Sequence, residues 1–305
     1  MTPGGSLQAP EHSMTIDSVL GEMRDELRAA GIESADQEAV WLLAHATGIS
    51  PLVQTVNRER VLFGEEVSRV RQLIARRTAR EPLQYILGNQ EFCGLDFEVN
   101  RSVLIPRPET ELLPQAVARR LSADNAPFIV DVGTGSGCLG VVLARMFPRG
   151  KVWAIDLSSS AIETGKRNAE RHGVSNVTWL QGDLLAPLSA LALERRISAI
   201  VTNPPYISTA DWMGLQPEVR LYEPYGALVS GPRGTELHER LVETAVPYLA
   251  PGGILIMELG QGQSESLVDL VNANWAYRSV ETLCDDNGIE RVLIAERTTT
   301  DGHNG

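Results

Sequence analysis

The sequence has few of the residues on which metal and disulfide sites depend. It contains three cysteines and five histidines in 305 residues. Cys93, Cys138 and Cys284 are far apart and odd in number, which argues against a disulfide framework and against a CxxC metal pair. The histidines show no HExxH-like spacing. The sequence therefore predicts a protein of a reducing compartment, the cytoplasm, with no metal.

Long apolar runs and excess positive charge are also lacking. No run approaches the roughly 20 residues of a membrane span, and the N-terminus lacks the basic region and apolar core of a secretory signal. Lys and Arg number 27 against 39 Asp and Glu, a net charge of −12. These features predict no membrane association and no stable nucleic-acid partner. The basic stretch Arg69–Arg80 is a candidate local patch, for which a solvated helix face is the simpler interpretation.

Composition along the chain predicts five segments. Residues 14–87 carry apolar residues such as Leu20, Met23 and Leu27 at helical spacing, which predicts a bundle of short helices for packing or partner binding. From residue 127, strands and helices alternate, which predicts a parallel, doubly wound α/β sheet with helices on both faces. The segments are a disordered extension at 1–13, the helical domain at 14–87, a β-hairpin linker at 88–105, the α/β domain at 106–297 and a loose tail at 298–305.

Glycines follow the first strand of the α/β region. Gly133-Thr134-Gly135-Ser136-Gly137 connects this strand to a helix, and Asp156 ends the next strand. Glycines allow positive φ and close approach of a ligand to the backbone, and a carboxylate at this spacing can accept both hydroxyls of a ribose. The pattern predicts an adenosine cofactor, either NAD or S-adenosylmethionine. A tight turn with an ordinary surface aspartate is the alternative.

The fourth strand ends in Asn203-Pro204-Pro205-Tyr206. The Asn203 side chain offers a carbonyl acceptor, the prolines have carbonyls but no N–H, and Tyr206 offers a flat face for stacking. Together these groups suit a planar –NH₂, either an amide or the exocyclic amine of a base. Such a nitrogen needs a methyl donor rather than a hydride acceptor, which favours S-adenosylmethionine. A proline-rich turn is the structural alternative.

Several motifs in order resemble one known family. "DVGTGSG", "AIDLS", "GDLL" and "NPPYI" resemble Rossmann-like S-adenosylmethionine-dependent methyltransferases that act on planar nitrogens. "LIPRPETELL", "EVRLYEPYGALVSG", "LAPGGILIMELG" and "DDNGIERV" look like the glutamine N5-methyltransferases of peptide chain release factors, the PrmC/HemK family. The resemblance covers about Arg76 to Arg297.

This resemblance implies a substrate and roles for the motif residues. The substrate would be the glutamine of the Gly-Gly-Gln (GGQ) loop of release factors 1 and 2, docked with help from the helical domain. Residues 133–137 and Asp156 would bind the cofactor, with Asp183 near the adenine. Asn203, Pro204, Pro205 and Tyr206 would hold the glutamine amide, with Asn203 also close to the cofactor. The "IPRPETE" loop would border the site.

Two positions depart from the family pattern, and three other functions stay open. Glu218 stands where the family often has Asp, and Arg233 where an acid is common; both could alter substrate docking. The rival functions are glutamine methylation of a ribosomal protein, methylation of an exocyclic amine on nucleic acid, and a non-enzymatic module that keeps the cofactor for stability.

Overall fold

The computed structural model describes residues 13–122 and 125–299, so most of the predicted extension and tail lies outside the described residues. The chain divides into two compact units. One, the helical unit, contains the described residues up to Gly88 together with Pro217–Tyr222. The other, the α/β unit, contains Asn89–Gln216 and the described residues from Glu223 onward. The chain therefore passes between the units after Gly88, after Gln216 and after Tyr222.

The helical unit is a bundle around one apolar core. Leu20, Met23 and Leu27 are buried in this core, as their helical spacing predicts. Gly48 ends the second helix in the left-handed conformation, with φ of 72°. The elements are β1 (Met14–Thr15), α1 (Ile16–Ala29), α2 (Ala35–Thr47), α3 (Pro51–Val56), β2 (Val61–Leu62), α4 (Gly64–Thr78) and α5 (Leu83–Leu87).

Buried charges join the Pro217–Tyr222 helix to this bundle. The Arg77 guanidinium contacts Glu38 at 2.6 Å and Glu218 at 3.0 Å, and Arg80 contacts Glu218 at 2.7 Å. Burial raises the pKa of Glu218, but hydrogen bonds from Arg80 and Arg77 outweigh it and the net pKa is lowered. The Tyr222 hydroxyl donates to the Ala79 carbonyl at 2.7 Å. Glu218 therefore has a structural role inside the helical unit.

The α/β unit begins with the predicted hairpin. Strands β3 (Asn89–Phe92) and β4 (Leu95–Glu98) pair antiparallel. Cys93 and Gly94 form the two-residue turn, with φ of 50° and 72°. Positive φ at both positions is typical of the type I′ turn, whose twist matches that of the flanking strands. The hairpin belongs to the α/β unit; its role as a linker stays a prediction.

The centre of this unit is a seven-stranded sheet in the order β12-β13-β11-β8-β5-β6-β7. Its strands are β5 (Phe128–Val132), β6 (Lys151–Asp156), β7 (Val177–Gln181), β8 (Ile197–Thr202), β11 (Leu249–Glu258), β12 (Tyr277–Cys284) and β13 (Glu290–Arg297). The strands β9 (Ile207–Ser208) and β10 (Val229–Gly231) form a separate pair.

The prediction of a parallel sheet holds for five strands and is wrong for the last one. β7, β6, β5, β8 and β11 are parallel neighbours, whereas β13 runs antiparallel to both β11 and β12. The physical reason is the short connection from β12 to β13. A parallel crossover needs a dozen or more residues, whereas a tight turn returns the chain antiparallel.

Helices cover both faces of the sheet, as predicted for a doubly wound fold. Ile129 and Val201 face one core, and their chain neighbours Val130 and Ile200 face the other. Strands buried on both faces read as continuous apolar runs. One core includes residues of α6 (Leu112–Arg120), α7 (Cys138–Met146) and α8 (Ser159–Arg171), and the other includes residues of α10 (Glu236–Ala245) and α11 (Ser264–Asn272); Pro217–Tyr222 is α9.

The described residues contain neither a candidate membrane-spanning helix nor a candidate metal cluster. None of their helices combines the length and the apolar character that crossing a bilayer requires. Among the same residues, no group of three or more His, Cys, Asp or Glu side chains could hold a metal ion.

Candidate active site

The predicted site residues follow neighbouring strands of the sheet. The glycine loop follows β5, Asp156 ends β6 and Asn203 follows β8, and β5 lies between the other two. Because these strands are parallel, their carboxyl ends meet at one edge, where ligands bind in this kind of sheet. A pocket at this edge is lined by the loop residues 133–136, Asn203, Leu104, Pro106, Thr110, Asp131, Cys138 and Leu139.

The glycine loop adopts backbone angles that are unfavourable for residues with a side chain. Gly133, Gly135 and Gly137 have φ of 68°, 55° and 77°, a region that L side chains rarely adopt. A Cβ on Gly137 would lie 2.8 Å from the Trp179 ring. The amides of Gly133 and Thr134 donate to the Ile155 carbonyl at 2.8 and 3.0 Å. The loop is thus anchored to the neighbouring strand and exposes its backbone to the pocket.

The Asp156 carboxylate holds the loop and keeps capacity for a ligand. One oxygen accepts from the Gly135 amide at 2.9 Å, and the other accepts from the Ser158 amide at 2.8 Å. Burial raises the pKa of the Asp156 carboxyl, and the backbone hydrogen bonds lower it by less. A carboxylate has about four acceptor positions, so capacity remains for ribose hydroxyls. These residues fit an adenosine cofactor.

Asp131 lies beneath the loop and was missed by the sequence analysis. It is 1 % exposed and accepts from the Thr134 hydroxyl at 2.5 Å. Burial raises the pKa of Asp131 to about 7, although hydrogen bonds from Thr134 and the Gly140 amide act to lower it. A Cβ on Gly140 would lie 3.0 Å from this carboxyl. The absence of a side chain at Gly140 therefore makes room for this carboxyl group.

Asn203 is connected to a buried carboxyl through one hydroxyl. Its Nδ2 donates to Thr110 Oγ1 at 3.0 Å, and Thr110 Oγ1 donates to Glu258 Oε2 at 2.6 Å. Glu258 is 2 % exposed and ends β11. Its carboxyl has a pKa raised to about 7, chiefly by burial. The sequence analysis missed Glu258; an acid at the end of an apolar strand was the available indication.

The rest of the NPPY motif is fixed by its backbone and by burial. The Tyr206 carbonyl accepts from Gln263 Nε2 at 2.9 Å, and Gln263 Oε1 accepts from the Gly260 amide at 2.9 Å. Burial is the main cause that raises the pKa of the Tyr206 hydroxyl, and the charge of Glu258 adds to it. Pro204 is buried and Pro205 is partly buried. Tyr206 therefore remains a neutral phenol at physiological pH.

The "IPRPETE" loop is held by Glu223, which is 5 % exposed. The Glu223 carboxylate accepts from the Ile105 amide at 3.1 Å and from the Arg107 guanidinium. Thr110 is buried in the 3₁₀ turn Pro108–Glu111, directly before α6, where its hydroxyl joins Asn203 to Glu258.

Asp183 and Arg233, two residues named from the sequence, lie on the surface. Asp183 comes shortly after β7, and its carboxylate accepts from Arg240 at 2.6 Å. It is not among the residues that line the pocket, and its place near an adenine stays a prediction. Arg233, the second departure from the family pattern, pairs with Glu239 at 2.7 Å and Glu236 at 3.4 Å.

Comparisons with known proteins identify the family. Residues 18–88 match the model of the PrmC N-terminal domain, and residues 110–214 match the methyltransferase small domain. A release factor glutamine methyltransferase of Geobacter sulfurreducens is 46 % identical over 279 residues, 92 % of this chain and 95 % of the relative. The chain belongs to the release factor glutamine methyltransferase family. Its counterpart in Moorella thermoacetica is 41 % identical over 93 % of this chain and 99 % of its own.

Membership confirms the predicted resemblance and an enzyme that uses S-adenosylmethionine as methyl donor. A solved structure of the hMettl16 catalytic domain, in complex with MAT2A 3′UTR hairpin 1, has a TM-score of 0.55 and 15 % identity. It covers 80 % of this chain and 85 % of its own. At this identity the likeness supports the fold alone, a Rossmann-like methyltransferase sheet.

Proposed function

We propose that this enzyme methylates the side-chain amide N5 of the glutamine in the GGQ loop of peptide chain release factors 1 and 2, in the cytoplasm. The observation that carries the proposal is the position of Asn203 in the wall of the pocket formed by the glycine loop. A planar nitrogen bound by the NPPY motif would lie beside the cofactor's reactive group.

The cofactor roles follow from the same edge of the sheet. The backbone of residues 133–137 would cradle the cofactor, Asp156 would accept its ribose hydroxyls, and Asp183 would lie near its adenine. Bound S-adenosylmethionine would supply an electrophilic methyl group. Asn203 would lie at the boundary between cofactor and substrate.

The residues of the NPPY motif would act on the substrate amide. An amide nitrogen is a poor nucleophile because its lone pair is delocalised into the carbonyl. The side-chain oxygen of Asn203 and a proline carbonyl would accept its two N–H groups, and Tyr206 would lie against its plane. These acceptors would stabilise positive charge that develops on nitrogen. A fixed orientation would also remove much of the entropic barrier.

Mass spectrometry of the products tests the substrate. The enzyme is incubated with labelled S-adenosylmethionine and, separately, with a release factor, a ribosomal-protein mixture and nucleic acid. We expect one methyl group on the GGQ glutamine of the release factor. Transfer to the ribosomal protein alone would overturn the proposal, as would transfer to nucleic acid alone with salt-sensitive binding.

An Asn203→Ala variant tests the assigned chemistry. It removes the amide acceptor, so we expect a loss of methyl transfer of about 100-fold or more, the size typical of a deleted oxyanion-type contact. Cofactor affinity, measured by calorimetry, should change far less. The exposed Asn287 offers a matched control, since Asn287→Ala should leave both measurements unchanged. Full turnover by Asn203→Ala would refute the assigned role.

A further inference from the structure

The Glu258 carboxyl interacts with both ends of the NPPY motif. It reaches Asn203 through two hydrogen bonds of the Thr110 hydroxyl, of 2.6 and 3.0 Å. Its charge also helps to raise the pKa of the Tyr206 hydroxyl. The sheet explains this arrangement, because Met257 of β11 lies opposite Thr202 of β8. Glu258 and Asn203 are the next residues along these paired strands.

The direction of these hydrogen bonds follows from counting protons. The Thr110 hydroxyl has one proton, whereas an ionised carboxylate can only accept. When Glu258 is ionised, the Thr110 proton points to Glu258, so Thr110 Oγ1 can only accept from Asn203. The Asn203 amide then turns its Nδ2 towards Thr110. Its Oδ1, the acceptor that a substrate –NH₂ requires, is the atom left for the pocket.

A protonated Glu258 would remove this constraint. A carboxylic acid can donate its own proton to Thr110, and the Thr110 proton is then available for the Asn203 oxygen. The Asn203 amide could turn over and present its own –NH₂ to the substrate. Two facing –NH₂ groups cannot hydrogen-bond in this geometry, and binding of the substrate amide would be opposed.

We infer that Glu258 is a positioning residue that acts through Thr110 to orient the Asn203 side-chain amide towards the substrate nitrogen. This inference rests on the proposed function. It assigns Thr110 the role of connecting the two groups.

The surroundings of Glu258 bring this effect into the neutral pH range. Burial raises the pKa to about 7; the Thr110 hydrogen bond lowers it, the charge of Glu109 raises it, and Arg291 and Tyr206 lower it. His238 of α10 contacts the Glu258 carbonyl rather than its carboxyl, at 2.8 Å. Burial also lowers the pKa of His238, so this ring remains neutral near pH 7.

Kinetic variants test the inference. With release factor as substrate, kcat of the unaltered enzyme should rise through about pH 7 as Glu258 ionises. Glu258→Gln and Thr110→Val should each lower kcat about 10- to 100-fold, as misplacement of a reacting group does, and abolish that rise. Cofactor affinity should change little. Thr110→Ser retains the hydroxyl and should restore both rate and pH profile.

The orientation of Asn203 has a readout that needs no activity. In ¹⁵N-labelled protein, the side-chain –NH₂ resonances of Asn203 should titrate between about pH 6 and about pH 8 with Glu258. They should not titrate in Thr110→Val. If Thr110→Val retains the kcat and pH profile of the unaltered enzyme, the inference is overturned. It is also overturned if the Asn203 resonances of the unaltered enzyme do not shift with pH. If the unaltered enzyme fails to methylate release factor, the proposed function fails, while the resonances still decide the role of Glu258.

Discussion

Buried and partly buried carboxyl groups fall into two kinds by their partners. In the helical unit, Glu38 and Glu218 contact the guanidinium of Arg77, and in the α/β unit Glu223 contacts that of Arg107. In the α/β unit, Asp131 and Glu258 accept from the hydroxyls of Thr134 and Thr110. A buried carboxylate beside a guanidinium keeps its charge, whereas one held by hydroxyls can change protonation near neutral pH. Carboxyls beside guanidiniums and carboxyls held by hydroxyls therefore serve different purposes.

This difference separates a structural role from a functional one. Ion pairs of Arg77 and Arg80 with Glu218 hold the Pro217–Tyr222 helix to its bundle. The lowered pKa of Glu218 keeps this carboxylate ionised over physiological pH. Asp131 lines the pocket, and Glu258 is joined through Thr110 to Asn203 in the pocket wall. Both carboxyls have raised pKa values. Strongly perturbed groups in a cleft are candidates for functional sites. When such a group gains or loses a proton, the donor and acceptor in its hydrogen bonds can exchange roles.

The largest expected effect comes from breaking the buried ion pairs. Arg77→Met should leave Glu38 buried without its guanidinium, and we expect the free energy of unfolding of the helical unit to fall by about 3–5 kcal/mol. Urea unfolding followed by circular dichroism measures this loss. A loss below about 1 kcal/mol would show that the pair contributes no more than a surface ion pair does.

An intermediate effect should appear in the pH dependence of stability. The ordinary pKa of an aspartate is 3.8, and burial raises that of Asp131 to about 7 in the fold. The native state thus holds its proton over a range in which the unfolded state has lost it. Its contribution is fully present below about pH 4 and is lost as pH rises through about 7. The free energy of unfolding should therefore decline less steeply with pH in Asp131→Asn, by up to about 1.4 kcal/mol per pH unit.

Urea midpoints at several values between about pH 5 and about pH 8 measure this decline. Asp285→Asn is the matched control. Backbone hydrogen bonds, chiefly from Ile289, lower the pKa of Asp285, so its contribution is lost only as pH falls through that lowered value. The control should leave the decline unchanged. An Asp131→Asn variant with the full decline would contradict this account of the buried carboxyl.

The smallest effect should come from an exposed pair of the helical unit. Arg28 contacts Asp36 at 2.8 Å, with 56 % and 68 % of the two side chains exposed. Solvent screens such a pair, so Arg28→Ala should change the free energy of unfolding by less than about 1 kcal/mol. The same urea experiment measures it. A loss as large as that of Arg77→Met would remove the distinction between buried and exposed pairs.

Local sequence patterns predicted the elements of the site but not the contacts between residues that are far apart in the chain. Periodicity and glycines were sufficient for the strands, the loop at 133–137 and the NPPY strand end, because these features are set by neighbours in the chain. The contacts of Thr110 with Asn203 and Glu258 span 93 and 148 residues. No local pattern brings such residues together. The sequence also did not indicate that the six residues Pro217–Tyr222 would join the helical unit.

The discontinuous helical unit has a consequence for the order of synthesis. A ribosome makes the chain from its N-terminus, and domains generally fold as units as they emerge. The first 88 residues contain Glu38, Arg77 and Arg80, but Glu218, which pairs with both arginines, is made about 130 residues later. The bundle can thus be completed only after Asn203–Tyr206 has been translated. The nascent chain makes its active-site motif before its first unit is finished.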